Sequence, residues 1–330
     1  MSLGLIHEIT GRCNLRCAFC YNPWRLHEDP PAELGARENG EMLEAVLADS
    51  GAGWLTFTGG EPLLYEELGQ VMTHVRRRFP AVRLGLATNG LLLPARLEGL
   101  QAAGLDYVEI SLFTVEAATY AALSETDQHE RPRHALALAR SRGLATTAAT
   151  VLRAGMEAEL EDILRLAFAL GADRVALNRF APRGRGSAHA QWLAPTLEEL
   201  DRLLAMADRV AGSIHLPILV TTPIEDCLLP HTRYPHLAFG PCVCGDSKWV
   251  IDPGGHLRVC ELDDHLLGNL RTTPFADLAR LPTVSRFRQA HRGSGCTACS
   301  SWTRCGGGCR FTPGMTGSGT AHSEDGGGRE

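Results

Sequence analysis

The sequence predicts an α/β fold: a partial (β/α)6 TIM-like barrel with a small, cysteine-rich C-terminal domain. Three observations lead to this prediction. Short apolar segments alternate with amphipathic segments through the first two-thirds of the chain, as strands and helices do around a parallel sheet. Glycines stand at the turns after several helical segments. The eleven cysteines lie in two groups, near the start and toward the end of the 330 residues.

Six strand–helix units account for the barrel. Apolar runs predict strands at 3–9, 54–58, 82–87, 106–112, 144–151 and 173–178. Amphipathic periodicity predicts helices near 38–50, 66–78, 94–102, 131–142 and 157–169. Gly104, Gly143 and Gly171 each separate a helix from the next strand, where a C-cap favours glycine. Segment 214–220 is a candidate for a further strand, so six and eight units both fit the sequence.

The composition changes near residue 238. Glycine, cysteine and proline become frequent there, and a hairpin is predicted around Pro253, Gly254 and Gly255. A segment of this kind has too small an apolar core to fold unless a metal centre cross-links it. We therefore expect a core domain, a connection, a small domain and a disordered Gly/Ser-rich tail, with boundaries at 1–215, 216–239, 240–312 and 313–330.

Charge and hydropathy exclude several classes of protein. The 32 basic and 38 acidic residues give a formal net charge of −6, which predicts binding neither to nucleic acid nor to an anionic membrane. No apolar run reaches the roughly 18 residues of a membrane span. The first residues lack the basic and apolar regions of a signal peptide. We therefore expect a cytoplasmic protein, in which clustered cysteines bind metal rather than form disulfides.

The first cysteine group is Cys13, Cys17 and Cys20, in the spacing CX3CX2C directly after the first predicted strand. In parallel α/β folds the carboxyl ends of the strands carry the chemistry. Three thiolates this close can hold an iron–sulfur cube and leave one iron free for another ligand. From these residues alone, a zinc knuckle or a structural cluster with a distant fourth ligand are the alternatives.

Two further segments follow the second and third strands: Gly59-Gly60-Glu61-Pro62 and Thr88-Asn89-Gly90. With CX3CX2C and an aromatic residue, Phe19, before its last cysteine, the chain over residues 3–180 resembles the radical S-adenosylmethionine enzymes. The resemblance implies a [4Fe–4S] cluster held by the three cysteines and S-adenosylmethionine as the cofactor. Reductive cleavage of this cofactor yields a 5′-deoxyadenosyl radical that abstracts hydrogen from the substrate.

The resemblance also implies a set of cofactor-binding residues. The Gly59–Glu61 backbone or the Glu61 side chain would receive the ammonium group of S-adenosylmethionine. Ser111, Arg131 and Asn178 are candidates for its other polar groups, although a Ser at a strand end is often only a cap and an exposed Arg is usually solvated. The full predicted set is Phe19, Gly59, Gly60, Glu61, Pro62, Thr88, Asn89, Ser111, Arg131 and Asn178.

The second cysteine group has the spacing CX2CX5CX3C over Cys296, Cys299, Cys305 and Cys309, with a GX4C segment ending at Cys260 upstream. This pattern over residues 240–312 resembles the SPASM domain, which carries auxiliary iron–sulfur clusters. A zinc ribbon is the alternative, but it needs two CX2C knuckles. The resemblance implies that one auxiliary cluster uses Cys242, Cys244, Cys260 and Cys309, and that a second uses Cys296, Cys299 and Cys305.

The second auxiliary cluster has no fourth cysteine after Cys309. We predict that this cluster forms with an open or exchangeable site. His322, Glu324 and Asp325 in the tail are alternative ligands, and absence of the cluster is a further alternative. Cys227 lies outside the pattern and is predicted to be a buried free thiol.

The resemblance implies an enzyme, and the first hypothesis is the modification of a ribosomally made precursor peptide by cross-linking, thioether formation, epimerisation or excision. Because the first strand begins at residue 3, peptide recognition is expected to need a separate leader-binding protein or the barrel itself. Flavodoxin or ferredoxin is the expected electron donor. Alternatives are oxidation of a small molecule, such as a sugar alcohol or tetrapyrrole side chain, and sulfatase-like protein maturation. Against the last, Ser111-Leu112 lacks the acidic residue that follows in relatives.

Overall fold

The structure of the protein, a computed structural model, describes residues 2–26, 32–289, 296 and 298–312. Within them a single sheet has eleven strands in the order β11-β10-β9-β1-β2-β3-β4-β5-β6-β7-β8. The strands are β1 (Gly4–Thr10), β2 (Trp54–Gly59), β3 (Arg83–Thr88), β4 (Tyr107–Ser111), β5 (Ala145–Leu152), β6 (Arg174–Arg179), β7 (Ile218–Val220), β8 (Leu237–Phe239), β9 (Lys248–Ile251), β10 (His256–Arg258) and β11 (Gly268–Asn269).

Helices follow most of the parallel strands. They are α1 (Ala36–Ser50), α2 (Leu68–Arg78), α3 (Leu93–Ala102), α4 (Ala117–Ser124), α5 (Glu130–Ser141), α6 (Leu160–Ala169), α7 (Ala190–Leu193), α8 (Leu197–Ile214), α9 (Phe275–Ala279), α10 (Pro282–Gln289) and α11 (Trp302–Cys305). Each long helix buries one apolar stripe against the sheet, as Ile163, Leu164 and Ala167 of α6 do. Among the described residues, no helix is long and apolar enough to cross a membrane.

The predicted partial barrel is confirmed as an open sheet. All six predicted strands occur within one residue of their predicted bounds and pair in parallel, β1 with β2 through to β6. Segment 214–220 contains β7, and β8 continues the sheet beyond it in parallel. The segment 216–239, expected as a connection, thus contributes two strands to the core sheet.

The C-terminal region joins the same sheet at its other side. β9 pairs in parallel with β1, and Gly4 lies opposite Lys248. β9 and β10 form the predicted antiparallel hairpin around residues 252–255. Trp249, Leu257 and Phe275 belong to the same hydrophobic core as the barrel strands. The small domain is therefore packed onto the first strand and shares its core. The tail predicted at 313–330 lies outside the described residues.

A buried ion pair fixes this junction. The Arg258 guanidinium of β10 donates to the Glu8 carboxylate of β1, and the exposed fractions of the two side chains are 0% and 1%. Arg258 also donates to the Asp263 carbonyl at 2.6 Å. The Trp24 indole N–H donates to Glu8 at 2.8 Å. Burial raises the pKa of Glu8, and the charge of Arg258 opposes that shift. Because neither charged group reaches water, each is stabilised by the opposite charge of the other.

Candidate active site and cysteine centres

The CX3CX2C loop leaves β1 at the carboxyl end of the sheet and is fastened to its surroundings by backbone hydrogen bonds. The N–H groups of Arg16 and Ala18 donate to the carbonyls of Ser124 and Leu123 at the end of α4, at 3.2 and 2.7 Å. The Cys20 carbonyl accepts from Gly186 N–H at 2.9 Å. These hydrogen bonds fasten the cysteine loop to α4 and to the segment that follows β6.

The three thiols of this loop lie within electrostatic reach of one another. Burial raises the pKa of the Cys17 thiol, and the neighbouring Cys20 and Cys13 raise it further. The thiols are therefore close enough for their charges to repel one another, and a cationic centre between them would remove that repulsion. This arrangement fits an iron–sulfur cluster with three thiolate ligands. That Cys13, Cys17 and Cys20 are its ligands is our proposal.

Phe19, which was predicted to contact the cofactor, packs against a small hydrophobic cluster beside the cysteine loop. Its ring meets that of Phe113 edge-on at 4.9 Å, and Phe113 stacks on Tyr120 at 4.8 Å. Together with Ala18 and Leu193 these rings form a second, smaller hydrophobic cluster. The aromatic residue before the last cysteine thus shields the loop from water on one side.

Gly59 and Gly60 are needed for contact between two loops. The N–H groups of Gly60 and Glu61 donate to the carbonyls of Thr10 and Arg12, both at 2.7 Å. A Cβ on Gly60 would lie 2.0 Å from the Arg12 carbonyl oxygen, and Gly59 has a positive φ of 133°. The chain after β2 therefore lies against the cysteine loop, and only glycine permits that approach.

The Glu61 side chain ties the second loop to the third. Its carboxylate accepts from Thr88 Oγ1 at 2.6 Å, from Asn89 N–H at 2.9 Å and from Leu63 N–H at 3.1 Å. It is 1% exposed, and burial raises its pKa. Pro62 begins the short 3-10 helix Pro62–Leu64 that follows. The sequence analysis offered two acceptors for the ammonium group: the Gly59–Glu61 backbone and the Glu61 carboxylate. Because the carboxylate already accepts three hydrogen bonds within the protein, we favour the backbone.

Replacing Glu61 by alanine is expected to destabilise the protein by about 3–5 kcal/mol, because three buried donors lose their acceptor. Anaerobic urea unfolding of the cluster-loaded protein measures the change in the free energy of unfolding. Glu67→Ala is the matched control: Glu67 is exposed and its side chain caps no helix. Equal stability of the two variants would contradict this role of Glu61.

The other predicted cofactor-binding residues lie at the same end of the sheet. Asn89 reaches the cysteine loop, where its amide donates to Asn14 Oδ1 at 2.7 Å. Ser111 ends β4 and is half-buried. Asn178 Oδ1 in β6 accepts from the Thr221 hydroxyl. Arg131 is exposed at the start of α5 and donates to the Leu91 carbonyl at 3.2 Å. These four residues remain proposed contacts.

The sequence analysis did not identify Glu109 as a candidate functional residue, although the alternation of side chains along β4 places it on the same face as Ser111. In β4 Val108 and Ile110 are fully buried, so Glu109 lies with Ser111 on the opposite face. Burial raises the pKa of Glu109, the charge of Glu261 raises it further and Lys248 opposes them. Glu109 therefore lies within electrostatic reach of Glu261 and Lys248 of the C-terminal domain.

The C-terminal domain gathers four cysteines. Cys244 hydrogen bonds with both Cys242 and Cys260, and Cys309 is close enough to raise the pKa of Cys242. The hydrogen bonds from these thiols and the charge of Lys248 lower the pKa of Cys244. Ligand atoms of Cys244, Cys260 and Glu261 lie within 4.8 Å of one another. The group fits the first predicted auxiliary cluster, for which we propose Cys242, Cys244, Cys260 and Cys309 as ligands.

Lys248 and Glu261 are the residues around this group that the sequence analysis missed. Lys248 Nζ lies 3.0 and 3.1 Å from the two Glu261 carboxylate oxygens and hydrogen bonds with Cys244. Lys248 is the only lysine of the sequence. Its position at the start of β9 gives the thiolate group a partly buried positive neighbour. The adjacency of Glu261 to Cys260 was the available sequence signal.

Cys296, Cys299 and Cys305 form a separate arm. Cys299 N–H donates to the Cys296 carbonyl at 3.3 Å, and Cys305 is buried at the end of α11. The prediction that Cys227 is a buried free thiol is wrong. Cys227 is exposed, because the chain turns at 226–228 between β7 and β8 and that turn lies at the surface. The tail candidates His322, Glu324 and Asp325 lie outside the described residues.

Comparison with known proteins agrees with this architecture. The model of the radical SAM superfamily matches residues 7–167. The model of SPASM, an iron–sulfur cluster-binding domain, matches residues 242–305. Streptococcus suis SuiB bound to precursor peptide SuiA has the same fold, with a TM-score of 0.76 at 16% identity over 93% of this chain and 72% of that one. Native anSMEcpe with bound AdoMet gives 0.72 at 17% identity, covering 93% and 89%.

Curated relatives fall into two groups. The GTP 3',8-cyclase of Mycobacterium marinum (strain ATCC BAA-535 / M) is 38% identical over 138 residues, which are 42% of this chain and 38% of that protein. The PqqA peptide cyclase of Streptomyces rochei is 28% identical over 324 residues, covering 93% of this chain and 84% of that protein. The chain thus spans well under half of the first relative and most of the second.

Both matched domains lie in the order that the cysteine spacing predicted. They imply S-adenosylmethionine and [4Fe–4S] clusters as cofactors, and the neighbouring thiols of both cysteine groups fit such clusters. The chain therefore belongs to the radical S-adenosylmethionine superfamily and carries a C-terminal SPASM domain.

Proposed function

We propose that the protein modifies a ribosomally made precursor peptide by abstracting hydrogen from it. The observation that carries this proposal is the match to the PqqA peptide cyclase of Streptomyces rochei, which extends over 93% of the chain and so includes both domains. A second PqqA peptide cyclase, from Gluconobacter oxydans (strain 621H), matches over the same share at 27% identity. The fold shared with peptide-bound SuiB is consistent with a peptide substrate.

A reduced cluster would give one electron to S-adenosylmethionine, whose carbon–sulfur bond would break to release methionine and a 5′-deoxyadenosyl radical able to take a hydrogen atom from the substrate. Cys13, Cys17 and Cys20 hold the cluster at the carboxyl end of the sheet. The Phe19–Phe113 contact keeps water from one side of it. We propose that Glu109, which shares a face of β4 with Ser111, lines the substrate side of the sheet.

The second candidate is the conversion of a small molecule. The 38% identity to a GTP 3',8-cyclase favours it, but that match covers 138 residues, and the PqqA peptide cyclase match covers 324. A purine nucleotide therefore joins the sugar alcohol and tetrapyrrole as substrates to test. The electron donor, flavodoxin or ferredoxin, and a separate leader-binding protein remain proposals.

Anaerobic co-expression with a short peptide encoded beside the gene tests the peptide proposal. We expect the peptide to lose the mass of two hydrogen atoms for each cross-link, or to gain deuterium in D2O if it is epimerised. Tandem mass spectrometry locates the change, and a C13A/C17A/C20A variant is the control that leaves the peptide unmodified. An unmodified peptide beside turnover of GTP or another small molecule by the same preparation would contradict the proposal.

A further inference from the structure

The second auxiliary cysteine set is one ligand short. If Cys309 joins Cys242, Cys244 and Cys260, then Cys296, Cys299 and Cys305 supply three thiolates to a cube that has four irons. The sequence pattern directs attention to the tail for a fourth ligand. The fold, however, places a different segment of the chain against this arm. The inference that follows depends on this division of the cysteines and not on which substrate the enzyme modifies.

The turn between β7 and β8 is held firmly against α11. The Asp226 N–H donates to Cys305 Sγ at 3.4 Å. The Asp226 carboxylate lies 3.3 Å from the Arg304 guanidinium and also hydrogen bonds with Ser301. On the far side, a Cβ added to Gly308 would lie 2.4 Å from Glu225 Cδ. Contacts from residues 301 to 308 thus fix the turn on which Cys227 stands.

Cys227 follows Asp226 directly and stands one residue from the backbone N–H that donates to Cys305 Sγ. One of the three thiols that need a partner is therefore a neighbour of this turn. Cys227 and Cys299 are both exposed, whereas Cys305 is buried. A cluster held by these cysteines would lie at the protein surface, and Cys305 would bind it from the buried side.

We propose that Cys227 is the fourth thiolate of the second auxiliary cluster, together with Cys296, Cys299 and Cys305. Each thiol gives up its proton to solvent and forms one bond to iron, and no oxidant or reductant is needed. The fourth ligand thus comes from the core sheet, before the SPASM domain, rather than from the chain after it. The Asp226 N–H donates to a ligand sulfur, a contact that tunes the potential of iron–sulfur clusters.

Iron and sulfide analysis of the full chain tests the proposal. In a C13A/C17A/C20A background, which removes the catalytic cluster, we expect about eight irons per chain from two cubes. Adding C227A should either remove one cube or leave a three-iron cluster with its own electron paramagnetic resonance signal. Adding C227S, which keeps a smaller oxygen ligand, should preserve more iron than C227A. Eight irons and unchanged spectra in C227A would overturn the proposal, as would four irons before C227A is added.

Alkylation with iodoacetamide provides a readout independent of iron content. Cys227 is exposed, so a free thiol would be accessible to the reagent and would react at an alkaline pH that forms its thiolate. We expect Cys227 to be protected in the anaerobic, cluster-loaded protein and to become reactive once a chelator removes the iron, with mass spectrometry identifying the labelled residue. The matched control is H322A/E324A/D325A, which removes the tail donors and should leave iron content and protection unchanged. Loss of the cluster in this control, or rapid labelling of Cys227 in the loaded protein, would refute the assignment.

Discussion

Replacement of Cys13, Cys17 and Cys20 together by alanine is expected to abolish cleavage of S-adenosylmethionine. The reduced, anaerobically reconstituted variant should form 5′-deoxyadenosine at the rate of a protein-free control, because these three thiols are the neighbouring set at the carboxyl end of the sheet. Liquid chromatography of 5′-deoxyadenosine and methionine measures the loss.

The C-terminal clusters serve as the internal control for that variant. Their cysteines stand on β9, β10 and α11 or beside them, so their visible absorbance should persist. Retained absorbance without cleavage separates the loss of one centre from general unfolding. Cleavage at the wild-type rate would show that the catalytic cluster is held elsewhere.

Substitution of Arg258 by methionine is expected to lower the free energy of unfolding by about 3–5 kcal/mol, the cost of leaving a buried charge without its partner. Methionine keeps an unbranched side chain but leaves Glu8 with the Trp24 indole as its remaining charge-stabilising donor. Anaerobic urea unfolding measures the effect. The double variant E8Q/R258M is the matched control and should recover most of the loss, since it removes both charges. A double variant as unstable as R258M would contradict the ion-pair explanation.

The pH dependence of R258M has a defined sign. Burial already raises the pKa of Glu8 above its ordinary value in the folded protein, and loss of Arg258 removes the charge that opposed this shift. The folded state then binds the proton more tightly than the unfolded chain does. The stability deficit should therefore be greatest at neutral pH and should shrink as the pH falls through the folded pKa toward the ordinary carboxyl value. E8Q/R258M should lack this dependence.

The sequence predicted the elements of the barrel well because hydrophobic periodicity is a local signal. The six strands follow from apolar runs, and Gly104, Gly143 and Gly171 each have a positive φ after a helix, as a C-cap requires. Helix α8 was missed although Thr196 and Glu199 form a capping box. Segment 214–220 was a candidate strand and contains β7, but β8 has only three residues, too few for periodicity to show, so the parallel pairing of β7 with β8 was beyond sequence reasoning.

The sequence indicated which loops carry the candidate site, but not the contacts that its side chains make. The cysteine spacing located both cysteine groups, because ligands close in sequence are close in space. Glu61 was expected to meet the cofactor, but its carboxylate bonds Thr88 and Asn89, contacts that only the packed loops create. Cys227 was read as buried because a lone cysteine usually is. Its position beside Cys305 depends on how β7 and β8 extend the sheet, about 80 residues away in sequence.

The parallel pairing of β9 with β1 fixes the position of the C-terminal cysteine group relative to the CX3CX2C loop. Cys13 follows the carboxyl end of the seven-residue strand β1, whereas Cys244 pairs with Lys248, which lies opposite Gly4 at the other end. At roughly 3.3 Å per residue the strand itself spans about 20 Å, and the two cysteine groups lie near its opposite ends. Hydrogen-bonded strands cannot slide, since a slip of one residue would invert every side chain. If the peptide proposal holds, an electron passing from a substrate radical to the C-terminal centre would therefore cross a constant gap, whatever peptide is bound.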